Sequence, residues 1–141
     1  MPYDYSCKVV IDGMDVNSVF SILTTNNPFR EDESMTIGVN FFVKILRLFD
    51  QLRNEDIIVR VQVWIMTNEE RFSFLVPKYY TASNVAFFIK ENNIRSVEDF
   101  QAIVRINGIP IIKIINTPKE FTHELFESVI KEVILYFEKN E

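Results

Sequence analysis

Apolar and polar positions alternate most clearly in "DIIVRVQVWIM". Ile57, Val59, Val61, Val63 and Ile65 share one face, and Ile58, Arg60, Gln62, Trp64 and Met66 share the other. This predicts a half-buried strand. "TNEE" turns the chain, and "RFSFLV" returns with Phe72, Phe74 and Val76 on one side until Pro77 ends the run, which predicts an antiparallel hairpin. Earlier, "CKVVID" reads as a short strand closing at Asp12-Gly13, after which Asp15 can cap a short helix carrying Val16, Val19, Phe20 and Leu23 on one face.

The long segment "MTIGVNFFVKILRLFDQLRN" has a different rhythm. Its polar positions Asn40, Lys44, Arg47 and Gln51 recur every three or four residues, and nearly everything else from Ile37 to Leu52 is apolar. That spacing predicts a helix buried on two sides, central in the domain or set in an oligomer interface. Asp32, Glu33 and Ser34 precede it and suit a helix N-terminus. Thr81 or Ser83 is expected to cap another short helix, with Val85, Phe88 and Ile89 at helical spacing. Between these, Thr24 to Ser34 is polar, contains Asn-Asn-Pro, and reads as a loop.

Two signals compete near Gln101 to Arg105. "SVED", Ser96 to Asp99, has the capping-box pattern that opens a helix. Asn107-Gly108 lies between β-branched runs and is a strong hairpin signal. The hairpin is the preferred reading; the alternative runs a helix to Arg105 with Gly108 as its C-cap. Ile109 to Ile115 is a strand in both. "TPKE", Thr117 to Glu120, then starts a helix reaching about Lys139, with Phe121, Leu125, Val129, Val133 and Phe137 repeating every four residues. The expected fold is α+β: a single domain over residues 1–141, with a mainly antiparallel sheet of two hairpins plus the N-terminal strand. Helices pack on one face, and a long C-terminal amphipathic helix completes it.

Composition narrows the function classes. The 141 residues are 48% hydrophobic and 25% charged, enough for a core without staples. A formal net charge of −5 opposes general nucleic-acid binding, which leans on phosphate neutralisation. Cys7 is the only cysteine, which suits a reducing, cytoplasmic setting. The N-terminal stretch lacks a signal-peptide core, and no apolar run is long enough to span a membrane. The three glycines, Gly13, Gly38 and Gly108, are isolated, and neither a P-loop nor a dinucleotide fingerprint is present.

Candidate chemistry is sparse. His123 is the only histidine and nothing in the sequence orients its ring. Glu120, His123 and Glu127 fall on one helical face, but a di-metal carboxylate site needs a second such set. No metal or cofactor is therefore expected. Asp12, Asp15, Glu55, Asp56 and Glu98 lie near strand ends, and their convergence would support a carboxylate-based, metal-dependent hydrolase or nuclease. The face of Arg60, Gln62 and Trp64, with Arg71 opposite, has the basic and aromatic make-up of single-strand binders.

The favoured reading is a non-enzymatic, protein-binding homodimer that docks to a protein or nucleoprotein partner. An acidic chain of AT-rich bias without a catalytic constellation would suit a virus or mobile-element inhibitor of a host defence complex. The expected contact residues are Arg60, Trp64 and Arg71 on the sheet and Glu31, Asp32 and Glu33 in the acidic loop. The carboxylate enzyme and the single-strand binder are the alternatives. Light scattering at low and high salt checks the oligomer: a dimer at both is expected, and a clean monomer would put the apolar segment from Ile37 to Leu52 inside one chain.

Overall fold

The computed structural model describes residues 3–24, 33–36, 39–66, 68 and 74–140. Strand β1 (Tyr5–Asp12) leads into helix α1 (Val16–Leu23), then β2 (Glu33–Thr36), β3 (Val39–Asp50) and β4 (Glu55–Met66). A short α2 (Val76–Tyr79), β5 (Val85–Ile89), α3 (Val97–Asn107) and β6 (Ile111–Ile115) follow, and α4 (His123–Lys139) closes the fold. The six strands form one sheet in the order β2-β3-β4-β1-β5-β6. β1 runs parallel to both β4 and β5, and β5 parallel to β6; β3 is antiparallel to β2 and β4.

The expected α+β fold with a mainly antiparallel sheet is thus corrected to a mixed α/β sheet. Its helices lie on both faces. Alternation along β1 sends Cys7, Val9 and Ile11 to the face covered by α1 and α4, and Val10 to the face covered by α2 and α3. Val85, Phe87 and Ile89 of β5 likewise join the first core, and Ala86 and Phe88 the second. "VAFFI" is therefore buried at every position, as expected for a parallel strand covered on both sides. Its apolar residues had suggested a helix, because a strand buried on both faces shows no alternation.

The largest correction concerns the segment read as an apolar helix. Val39 to Asp50 is a strand paired with β4 along its whole length, from Val39 opposite Met66 to Asp50 opposite Glu55. Phe42, Leu46 and Leu48 face the α1/α4 core together with Ile57, Val59, Val61, Val63 and Ile65. The partner of the alternating strand is this upstream segment and not "RFSFLV", of which residues 71–73 lie outside those described and Val76 opens α2. The hairpin turns at Gln51 to Asn54, where Asp50 Oδ1 accepts from the Leu52 amide at 3.0 Å and Asn54 takes φ of 53°. An Asx-type turn of this kind needs no glycine.

The helix ends follow local chemistry closely. Asp15 caps α1 through Oδ1, accepting from the Ser18 amide at 2.8 Å. Ser96 caps α3, its Oγ accepting from the Asp99 amide at 3.0 Å. Gly108 ends α3 in the left-handed region at φ 62°, so the helix reading of Gln101 to Arg105 replaces the preferred hairpin. Thr117 opens only a 3-10 turn, and α4 begins at Thr122, whose Oγ1 accepts from the Leu125 amide at 3.1 Å.

Gly13 and Gly108 both have positive φ, for different reasons. A Cβ on Gly13 would stand 2.7 Å from the Ile89 carbonyl oxygen, whereas one on Gly108 would meet nothing within 4 Å. In urea unfolding, Gly108→Ala is expected to cost about 1–2 kcal/mol from backbone strain alone. Gly13→Ala is expected to cost about 3 kcal/mol, since it must also push β5 away. Equal losses would show that the approach of Gly13 to β5 carries no weight.

Candidate functional site

β1, β4, β5 and β6 all point their carboxyl ends the same way. The chain leaves β1 to build one side of the sheet, then crosses from β4 to β5 on the other side of β1. That makes the β1/β5 boundary a topological switch point, where open α/β sheets present a ligand crevice. A cleft of about 520 Å³ opens here, lined by Gly13 to Val16 and Ser18, by Asn40, by Ile65, Met66 and Asn68 at the end of β4, by Glu91 and Asn92 after β5, and by Pro118 after β6.

The loops around the cleft are tied by one buried carboxylate. Asp12, the last residue of β1, is 0% exposed. Arg95 donates to it from Nε to Oδ2 at 2.8 Å and from Nη2 to Oδ1 at 2.7 Å, a bidentate pair. The Tyr80 hydroxyl donates to Oδ2 at 2.8 Å, and burial, then the Asp12 charge, push that phenol well above its ordinary pKa. Asn93 Nδ2 donates to Asp12 Oδ1 at 3.2 Å and to the Ile89 carbonyl at 2.9 Å, while its Oδ1 accepts from the Arg95 amide. Asn68 reaches from the end of β4 to the Asn92 carbonyl at 3.4 Å. Thus β1, β4, β5 and the entrance to α3 meet around Asp12.

A strand–loop–helix leading into such a cleft invites comparison with the phosphate loop, G-x-x-x-x-G-K-[ST]. Ile11 to Ser18 reads I-D-G-M-D-V-N-S and keeps only the final hydroxyl residue. Ile11 and Val16 stand at the glycine positions, and Asn17 at the lysine position. Gly13 falls at neither glycine position, and its missing Cβ makes room for β5. The Ser18 amide, third in α1, is already held by Asp15, and Ser18 Oγ also donates to Asp15 Oδ2 at 2.9 Å. The Ser18 amide holds the Asp15 carboxyl below its ordinary pKa, so the loop carries a built-in anion at neutral pH. These residues do not form a triphosphate cradle.

The residues expected from sequence are scattered. Arg60 and Trp64 share a face of β4, but Trp64 is already packed: its ring lies 5.2 Å from Phe41 and 6.1 Å from Tyr79, with Lys8 Nζ 4.1 Å above it. Glu31, Asp32 and Arg71 lie outside the described residues, and Glu33 opens β2. The candidate carboxylates do not converge. Asp12 is ion-paired, Asp15 is a cap, Glu55 and Asp56 start β4 at the opposite end of the sheet, and Glu98 sits in the first turn of α3. His123 Nδ1 lies 4.0 Å from Glu127, and Glu120 accepts from the Asn116 amide. Burial raises the Cys7 thiol to about 12, which makes it inert. The Asp12 network was missed: an acid ending an apolar strand was visible, but nothing in sequence marks Arg95 as its partner.

A doubly wound sheet with a switch-point cleft is the open α/β class, whose ligands enter at the carboxyl ends of the strands. Comparison with known proteins makes this specific. The family model of the Ras of Complex, Roc, domain of DAPkinase matches residues 19–116, well over half of the chain. The chain belongs to this family and is a Roc/Ras-like small GTPase domain. Among relatives, it is 30% identical over 89 residues to the Ras-related protein RABA1h of Arabidopsis thaliana, covering 62% of this chain and 38% of that protein. RABA1c of the same plant is 23% identical over 129 residues, covering 86% of this chain and 57% of the relative. Human Rab-15 is 28% identical over 81 residues, covering 57% and 34%. The chain therefore spans between about a third and three fifths of these relatives' lengths.

This membership overturns the expected non-enzymatic docking module, and with it the viral or mobile-element inhibitor, the carboxylate hydrolase and the single-strand binder. It points to GTP binding and to a class of GTP-hydrolysing enzymes. The matched segment begins at residue 19, one residue beyond the loop whose glycines and lysine are replaced.

The Asp12–Arg95 pair can be tested directly. Arg95→Met strands a buried carboxylate and is expected to cost about 3–5 kcal/mol in chemical unfolding. Combining it with Asp12→Asn should cost clearly less than the two single changes added together. Strict additivity would mean that the two side chains do not act as a unit.

Proposed function

We propose that this chain is the guanine-nucleotide-binding domain of a Ras-like protein and that the nucleotide enters the cleft at the carboxyl ends of β1, β4, β5 and β6. The observation that carries this reading is the 520 Å³ crevice at the switch point of a chain belonging to the Roc/Ras-like family. The asparagine side chains of Asn40, Asn68 and Asn92 supply donors and acceptors that suit a base and a sugar. Phosphates receive little help, since Asn17 offers no charge where the loop lysine would stand.

Binding is therefore weak, and turnover is slow. Titration of guanine nucleotides followed by NMR or calorimetry is expected to give dissociation constants weaker than about 1 μM, against the tighter grip of a complete phosphate loop. Phosphate release should not exceed the order of 10⁻⁴ s⁻¹, the intrinsic rate of Ras itself. If no guanine nucleotide perturbs residues lining the cleft at millimolar concentration, the reading fails.

A further inference from the structure

We infer that the cleft selects guanine ligands with few phosphates, favouring the monophosphate over the triphosphate, and that Asp15 sets this order. The inference rests on the proposed nucleotide site and narrows its ligand. A complete phosphate loop presents a lysine and a row of free amides at a helix N-terminus. In this chain the Asp15 carboxylate occupies that position, bonded to the Ser18 amide at 2.8 Å and to its hydroxyl at 2.9 Å. The chain's own anion stands where an incoming phosphate would have to bind.

Charge in the cleft points the same way. Among the described residues, its lining carries two acids, Asp15 and Glu91, and no lysine or arginine. Arg95, beside the end of β1, is bidentate to the buried Asp12, and its side chain is only 7% exposed. Lys90 and Lys119 are chain neighbours of Glu91 and Pro118 but stand at exposed positions and do not line the cleft. Each added phosphate brings more negative charge toward two carboxylates, with no cation in the lining among the described residues. The affinity order of a phosphate-loop domain is thereby inverted.

The experiment is calorimetric titration of the full chain with GMP, GDP and GTP at low and high salt, with and without millimolar Mg²⁺. Without Mg²⁺ and at low salt, GMP is expected to bind about 10-fold tighter than GTP, with GDP between them, and the gap should narrow at high salt as the carboxylates are screened. Asp15→Asn keeps the capping acceptor and removes the charge. Paired with Glu91→Gln, it should bring GMP and GTP within about twofold while the melting temperature stays close to that of the parent. GTP binding more tightly than GMP would overturn the inference and leave the nucleotide site standing. An unchanged GMP-to-GTP ratio in the double variant would overturn the role of Asp15. No binding of any of the three would overturn the nucleotide reading and this inference with it.

Discussion

A full negative charge sits inside the sheet at the end of β1, and the ligand-side face of the domain is organised around neutralising it. Asp12 has no contact with water, so its cost is bearable only with Arg95 in bidentate register and with Tyr80 and Asn93 filling its remaining lone pairs. Arg95 and Asn93 come from the one loop between β5 and α3, and Tyr80 from the end of α2. The end of β1, the loop from β5 to α3 and the end of α2 cannot shift independently without stranding a charge. A hydrophobic plug could fill the same volume but would not fix three segments in one arrangement.

That constraint separates the frame of the domain from the chemistry of its loop. The parallel order of β4, β1, β5 and β6, the helices on both faces and the switch-point crevice are the frame of this domain. The loop that would grip phosphate has been rebuilt with isoleucine, valine and asparagine, and its one internal anion is a cap. Where a ligand would ordinarily order the loop, Asp12 and Asp15 order it from within.

Much of the local structure was legible because it is written in adjacent residues. The alternation of β4, the Asp15 cap and the Ser96 cap depend on neighbours a few positions apart. The misreadings share one cause. Val39 to Asp50 and Val85 to Ile89 are strands whose burial is decided by distant partners, so they lack the period-two pattern that marks a strand with one wet face. Asn107-Gly108 could end a helix or turn a hairpin, and only the docking of Phe100 and Val104 into the second core decides between them. The site was less legible still. Asp12 and Arg95 are separated by 83 positions, and no local rule joins them. The family itself went unseen because Ile11 to Ser18 carries no phosphate-loop motif to announce it.

The central position of β1 also bears on how the chain can be assembled. Among the described residues β1 pairs with β4 and β5, so its ladder has no partner until Glu55 to Met66 has been made. The β3–β4 hairpin, by contrast, closes through a four-residue turn and can form from its own sequence alone. The hairpin offers a ready edge, and β1 must be held in waiting until that edge and then β5 arrive to enclose it. The bidentate pair at its tip closes only once Arg95, 83 positions later, has been made.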